Sequence, residues 1–150
     1  MDIRRYSADD LSGVLQLCTA EGWPSLPEDP ARAHRVLTAP GVTTVVATPG
    51  DTVIGFAQLL SDGEIQAYLA LIAVHPQHRR QGIGRAMLAS ALQLAGGGRV
   101  DLLSDASGGF HRSLPHLRLQ GFRLYPGYTG PDRYRPGVSW KDGREVKEGR

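Results

Sequence analysis

Twelve consecutive residues concentrate the chemistry of this chain: Val74-His75-Pro76-Gln77-His78-Arg79-Arg80-Gln81-Gly82-Ile83-Gly84-Arg85. An apolar run ends, a basic loop follows, and two glycines open an amphipathic stretch. Glycine lets another group approach the backbone closely. The free N–H groups at a helix start, with the positive end of the helix dipole, form an anion site. Arg79, Arg80 and Arg85 add cationic donors. The chemistry that suits this pattern is the cradling of a pyrophosphate. Other phosphate motifs fit worse. No Gly-Lys-Ser or Gly-Lys-Thr occurs, so there is no P-loop. Gly82-x-Gly84 lacks the third glycine of the dinucleotide fingerprint, because Met87 stands there.

The elements around this segment follow from periodicity. Ile3-Arg4-Arg5-Tyr6 reads as a first strand. Asp9 and Asp10 open a helix whose apolar residues Leu11, Val14, Leu15 and Cys18 fall on one face. A second helix runs from near Pro30 to about Ala39, stopped by Pro40-Gly41. Val42 to Ala47 and Thr52 to Leu60 form a hairpin across Pro49-Gly50-Asp51. After the tight turn at Asp62-Gly63, a long strand runs from about Glu64 to Val74. Its later half, Leu69 to Val74, is continuously apolar, which predicts burial on both faces. Gly82 to about Ala95 is a helix with Ile83, Met87, Leu88, Ala91, Leu92 and Ala95 on one stripe, ended by Gly96-Gly97-Gly98. Val100 to Leu103 is a fifth strand. An irregular or helical piece runs to Leu119, and Gly121 to Tyr125 is a sixth strand. A further short strand near Val138-Ser139-Trp140 precedes a charged, weakly ordered end. The order β-α-α-β-β-β-α-β-α-β puts hairpins before a strand-helix-strand unit, so the sheet is mixed.

Composition bounds the function. A length of 150 residues favours a single domain with a self-sufficient core. With 17 basic and 15 acidic residues the net charge is +2. That near balance argues against a basic nucleic-acid arm, although Lys141 and Lys147 are the only lysines among the cations. Arginine forks suit phosphate, but arginine-heavy usage is equally a genome-composition habit. One cysteine, Cys18, excludes an intrachain disulfide and a multi-cysteine zinc site. Met1 to Arg5 is not followed by an apolar signal core. No apolar run approaches the ~20 residues that cross a membrane. A soluble, cytoplasmic protein is expected, with neither nucleic acid nor membrane as partner.

Arg79-x-x-Gly82-x-Gly84 at a strand-to-helix junction resembles the acetyl-CoA motif of the GNAT superfamily of N-acetyltransferases, whose pattern is Arg/Gln-x-x-Gly-x-Gly/Ala. The element order is similar to that family's over residues 1–126, including Gly121-Phe122 at the sixth strand. The resemblance implies an α/β fold with a central mixed sheet of about six to seven strands flanked by helices. It implies acetyl-CoA as acyl donor, an amine-bearing acceptor, no metal, and direct attack of the amine on the thioester. Backbone groups of Ile72, Ala73 and Val74 would bind the pantetheine arm as an added strand would. Amides of Arg80, Gln81, Gly82, Ile83 and Gly84, with Arg85, would hold the pyrophosphate. Arg79 would either contact phosphate or fix the loop. A homodimer joined through C-terminal strands is implied too. Residues 1–126 would form the transferase domain and 127–150 a C-terminal extension.

The transfer needs a base for the amine, since an alkyl ammonium has a pKa of ~10.4. It needs a donor for the oxyanion, and a backbone N–H of Ile72 or Ala73 is the natural choice. An acid for the departing thiolate helps modestly. Family members often supply it from a Phe-Tyr pair four to five residues before the Gly-Phe. Here Leu117 stands at that position. Phe110-His111 is the nearest match, so His111 is the candidate acid and His116 a weaker one; either is equally readable as a surface histidine. No carboxylate faces the acyl group along the long strand, where Tyr68 and Ala70 fall, and Glu64 lies at its start. Glu21, after the first helix, is the candidate base, with a solvated helix-end charge as the alternative. Trp23 and Tyr68 are expected to line the acceptor pocket, with the Glu21–Pro27 loop and the aromatics Tyr125, Tyr128 and Tyr134. Glu28 and Asp29 suit either a cationic amine or the first turn of a helix. A non-catalytic acyl-CoA sensor is the alternative function, motivated by the missing tyrosine.

Overall fold

The computed structural model describes residues 1–104, 109–132, 138–141 and 144–147. The first compact unit, Met1–Leu102, is built on a five-stranded sheet in the order β1-β2-β3-β4-β5. The strands are β1 (Asp2–Arg5), β2 (Val42–Thr48), β3 (Gly55–Ser61), β4 (Gln66–Val74) and β5 (Arg99–Asp101). The first four pair antiparallel, and β5 pairs parallel to β4, so the sheet is mixed.

Three helices flank it. α1 (Leu11–Glu21) buries Val14, Leu17 and Cys18, with Leu11 and Leu15 only packed against the edge of that core. The buried stripe is therefore rotated slightly from Leu11, Val14, Leu15 and Cys18. Gly22, at φ 73°, ends α1, and its N–H and that of Trp23 return to the carbonyls of Thr19 and Cys18. α2 (Pro30–Thr38) starts where the Asp29 carboxylate accepts from the N–H of Arg32 at 3.0 Å. Asp29 is thus engaged as a helix cap. α3 (Ile83–Ala95) buries Ile83, Met87 and Ala91, and Met87 packs so closely over Gly55 that a Cβ there would lie 3.0 Å from its terminal methyl.

Alternation of side chains assigns the two faces of the sheet. Thr44 and Gln58 oppose each other and donate to the carbonyls of Leu37 and Val36 in α2. Leu71 lies opposite Gln58 and packs into the cluster formed by Val14, Leu17, Leu26 and Phe56. That face carries α1 and α2. Tyr68 sits on it too, opposite Leu60.

Two features of β4 position the site. Gln58 opposes Leu71 while Leu59 opposes Leu69, so Ala70 is a bulge. The parallel pairing with β5 covers only Gln66 to Tyr68. From Leu69 to Val74 the outer edge of β4 has no ladder among the described residues. The expectation of burial on both faces is corrected accordingly. Leu69 and Ala73 are buried, whereas Leu71, Ile72 and Val74 are half-buried. An apolar run beside a missing strand cannot be covered on every side.

The second compact unit, Leu103–Arg150, contains the short helix α4 (Gly109–Arg112) and an antiparallel hairpin of β6 (Val138–Lys141) and β7 (Arg144–Lys147). β6 occupies the strand expected near Val138, and β7 was not anticipated. The expected sixth strand at Gly121 to Tyr125 is not formed, and the main sheet has five strands rather than six or seven. Phe122 and Leu124 are 72% and 87% exposed. An extended run becomes a strand only when an edge accepts it, because β-propensity is a matter of packing more than of the backbone. The sequence boundary at 126 and the compact-unit boundary at 102 fall at different points.

Candidate active site

The loop from β4 to α3 begins with a single 3₁₀ turn at Pro76–His78. The His75 N–H donates to the carbonyl of Ile54 at 2.7 Å, tying the loop to β3. The chain then adopts left-handed backbone twice, at Arg80 (φ 64°) and Gly82 (φ 77°). Arg80 is the only non-glycine with positive φ among the described residues. Alternation of this kind turns successive N–H groups toward one concavity, a nest for anions. Gly82 is also the N-cap of α3, and no side chain caps that helix. The first N–H groups of a helix have no partner within it, so those at the start of α3 face outward. A Cβ on Gly82 would meet nothing within 4 Å. The glycine is required by its backbone angle, and the space before it is open to a ligand.

The residues from Arg79 to Arg85 therefore form one continuous cradle beside the half-exposed edge of β4. This arrangement fits a diphosphate at the helix start and an extended, hydrogen-bonding arm along Ile72, Ala73 and Val74. In a strand, alternate residues direct their N–H and C=O to opposite edges, so the free edge offers both donors and acceptors. Among the described residues, no group of three or more His, Cys, Asp or Glu side chains is disposed to hold a metal.

The two arginines of the loop differ. Arg80 is exposed and makes no ion pair among the described residues. Arg79 is engaged on both sides of its guanidinium. Its Nε donates to the carbonyl of Val74 at 3.0 Å, and a terminal nitrogen is paired with the Glu21 carboxylate. The sequence left Arg79 between contacting phosphate and fixing the loop, and the geometry displays loop fixation. Glu21 is not a solvated helix-end charge. Its side chain is 25% exposed and its partner is Arg79. Residue types alone did not disclose this link, but one signal was available. An acid at the C-terminal end of a helix opposes the dipole, and α1 carries no basic residue in its last turn. Such an acid calls for a cation from elsewhere.

The remaining candidates lie as follows. Trp23 is half-buried against the α1/α2 core cluster. Tyr68, also half-buried, sits at the last β4–β5 pair, opposite Asp101. Gln66 links the two strands there, donating to Asp101 at 3.0 Å and accepting from Arg99. Glu64 is exposed in the turn before β4. Cys18 is buried, and burial, reinforced by the Glu21 charge, pushes its thiol up to about 11. It is no nucleophile at neutral pH. In the second unit His111 lies on α4, with its ring 6.3 Å from that of His116 in an edge-on arrangement. Tyr125 and Tyr128 are partly buried, and the Tyr128 hydroxyl donates to the carbonyl of Pro131 at 3.0 Å. Tyr134 lies outside the described residues.

Residues 8–113 match the model of the Acetyltransferase (GNAT) family. The mycothiol acetyltransferase of Streptomyces avermitilis is 38% identical over 106 residues, which cover 70% of this chain and 33% of that protein. The chain thus spans about a third of the length of this relative. The N-alpha-acetyltransferase RimI of Mycobacterium tuberculosis is 32% identical over 115 residues, 72% of this chain and 73% of the relative. The aminoglycoside N-acetyltransferase AAC(6')-Iy, solved in complex with CoA, superposes with a TM-score of 0.68 at 20% identity, covering 83% of this chain and 92% of that one. With a family match over most of its length and a relative covered to nearly three quarters, this chain belongs to the GNAT family of acetyltransferases.

Proposed function

We propose that this protein transfers the acetyl group of acetyl-CoA to an amine of a small molecule or peptide. The observation that carries the proposal is the pairing of two left-handed residues, Arg80 and Gly82, with an uncapped helix start beside an unladdered strand edge. The acetyltransferase names of the relatives and the CoA complex of the structural neighbour support it.

The thioester supplies the activated acyl group. The chain's own residues do the rest. N–H groups from Arg80 to Gly84 bind the diphosphate, with the Arg80 and Arg85 side chains adding charge. Backbone groups of Ile72 to Val74 align the pantetheine arm. An N–H of Ile72 or Ala73 meets negative charge developing on the acyl oxygen. Trp23 and Tyr68, on the α1/α2 side, line the acceptor pocket. His111 donates a proton to the departing sulfur, and the acceptor amine loses its proton to water or to a carboxylate. The enzyme is cytoplasmic, requires no metal and dimerises. Among the described residues no helix is long and apolar enough to cross a membrane.

Thermal unfolding with and without acetyl-CoA tests the reading. At a concentration about 100 times Kd, binding adds ~2.7 kcal/mol. For a chain of this length that raises Tm by about 5–10 °C. A shift given by CoA and not by NADH supports the cradle. No shift at millimolar acetyl-CoA rejects it. The absence of the family's usual tyrosine, where Leu117 stands, favours a second reading, a sensor that binds acetyl-CoA without turnover. Release of free CoA in the presence of an amine panel separates the enzyme from the sensor.

A further inference from the structure

Glu21 and Arg79 are 58 residues apart in sequence and meet across the end of the sheet. Arg79 is the first residue of the cradle. Its other contact is the carbonyl of Val74, the last residue of β4. Glu21 is the last residue of α1, followed at once by the left-handed Gly22 and half-buried Trp23. The guanidinium thus joins three pieces: the cradle loop, the end of the strand that would align the arm, and the helix end that opens the acceptor-side loop.

We infer that Glu21 is a positioning residue that acts through Arg79, holding the cradle in its ligand-ready shape and coupling it to the Gly22–Pro27 loop. The inference rests on the acetyl-CoA reading above. The geometry favours this role over that of a base. One oxygen of the Glu21 carboxylate already accepts from the Arg79 guanidinium, which turns the group toward the cradle loop. Of the five guanidinium N–H donors, those on Nε and one terminal nitrogen are already engaged within the protein. A helix end that carries a disfavoured charge for a distant partner is the kind of local inconsistency expected where function sets the residue.

The magnitudes separate the two roles. A partly exposed ion pair is worth at most ~1 kcal/mol, so its loss weakens coenzyme binding by no more than about fivefold. Loss of a general base costs ~10²–10⁴-fold in kcat. Four proteins decide: wild type, Glu21→Gln, Glu21→Arg, and the double exchange Glu21→Arg with Arg79→Glu. Acetyl-CoA affinity is measured by calorimetry, and kcat, KM and the pH–rate profile with an accepted amine. The expected result for Glu21→Gln is a two- to fivefold rise in acetyl-CoA Kd, a raised acceptor KM, and a kcat and pH profile close to wild type. The exchange is expected to recover part of the affinity lost in Glu21→Arg alone. A kcat loss of a hundredfold or more with unchanged acetyl-CoA Kd, and loss of the acidic limb, overturns the inference in favour of a base. Unchanged Kd and unchanged kinetics overturn it as well. A wild-type protein that does not bind acetyl-CoA fails the functional reading itself, a result that the affinity of the wild type reports before any variant is made.

Discussion

Arg80 and Gly82 flank Gln81 with left-handed backbone on both sides, at φ 64° and 77°. The conformation costs an L-residue with a side chain ~1–2 kcal/mol, and only glycine adopts it freely. The chain therefore carries strain at Arg80, next to the position where glycine avoids it. Strain of this kind persists where surrounding structure over-determines the backbone, and it clusters at ligand sites.

Substitution of Gly82 separates the backbone from the space before it. Gly82→Ala imposes the left-handed cost and places a methyl in the open cradle. It is expected to fold with Tm lowered by about 2–8 °C. Gly82→Glu adds a like charge facing the diphosphate. Its acetyl-CoA Kd is expected to rise more than tenfold, at least ~1.4 kcal/mol. Calorimetry on the folded variant checks this, and an affinity equal to wild type removes the loop from the binding site.

Arg80→Gly probes the strain directly. Relief of ~1–2 kcal/mol is offset by the ~0.5–1 kcal/mol that glycine loses in ordering. The expected outcome is a Tm unchanged or raised by up to about 6 °C, together with weaker acetyl-CoA binding because a cation is gone. Differential scanning calorimetry and a binding isotherm measure the two. A marked fall in Tm would show that the arginine side chain stabilises the fold, contrary to its exposure and to its lack of an ion pair among the described residues.

Much of this was legible in the chain itself. Gly82 and Gly84 after an apolar run, with Arg79 at the fixed spacing, marked the turn from β4 into α3 because backbone conformation acts locally. The hairpin of β2 and β3 followed from two alternating runs across Pro49-Gly50-Asp51, and α2 from Asp29 and Pro30. What the sequence could not disclose depends on partners remote in the chain. The half-burial of Leu71 and Ile72 reflects a missing neighbour strand and not their own apolarity. Gly121 to Tyr125 has the composition of a strand but pairs with no strand among the described residues. Glu21 acquires its meaning only from Arg79, across one helix, three strands and a 3₁₀ turn. The bulge at Ala70 arises from a register shift between Gln58 and Leu59 that no residue type announces.

Asp10 gives a pH-dependent test of the fold apart from the site. Its buried carboxylate receives both terminal nitrogens of Arg4 at 2.8 Å and the N–H of Ser7 at 2.7 Å. The hydrogen bonds from Arg4 hold its pKa below the usual carboxylate value of 3.8, against the opposing effect of burial. A depressed folded value means that the stabilisation is full above about pH 4 and is lost as pH falls through the folded value. Asp10→Asn is expected to cost ~1–3 kcal/mol at neutral pH. Thermal melts from about pH 6 to about pH 2 should show the gap between wild type and variant narrowing on the acid side. Some acid sensitivity persists in the variant, because Asp62 is also held low by the N–H groups of Glu64, Ile65 and Gln66. A gap of constant size across the range would mean that the Arg4 pair does not set the acid stability.

The role of His111 as thiolate acid makes the sharpest kinetic demand. A thiol of pKa ~8.5 is already a fair leaving group near neutrality. Protonation therefore contributes at the low end of general-acid effects, about 10²-fold in kcat. The acid must carry its proton, and a general acid of this kind gives the pH–rate profile an alkaline limb. His111→Ala is expected to lose that alkaline limb and about two orders of magnitude in kcat, while acetyl-CoA Kd stays near wild type. His116, with its ring 6.3 Å from His111, is the alternative source of the proton. Profiles of the two single variants distinguish them. If His116→Ala loses the limb and His111→Ala keeps it, the role passes to His116. If both retain wild-type kcat and profile, neither ring serves the sulfur, and water or an unassisted thiolate departure carries the step.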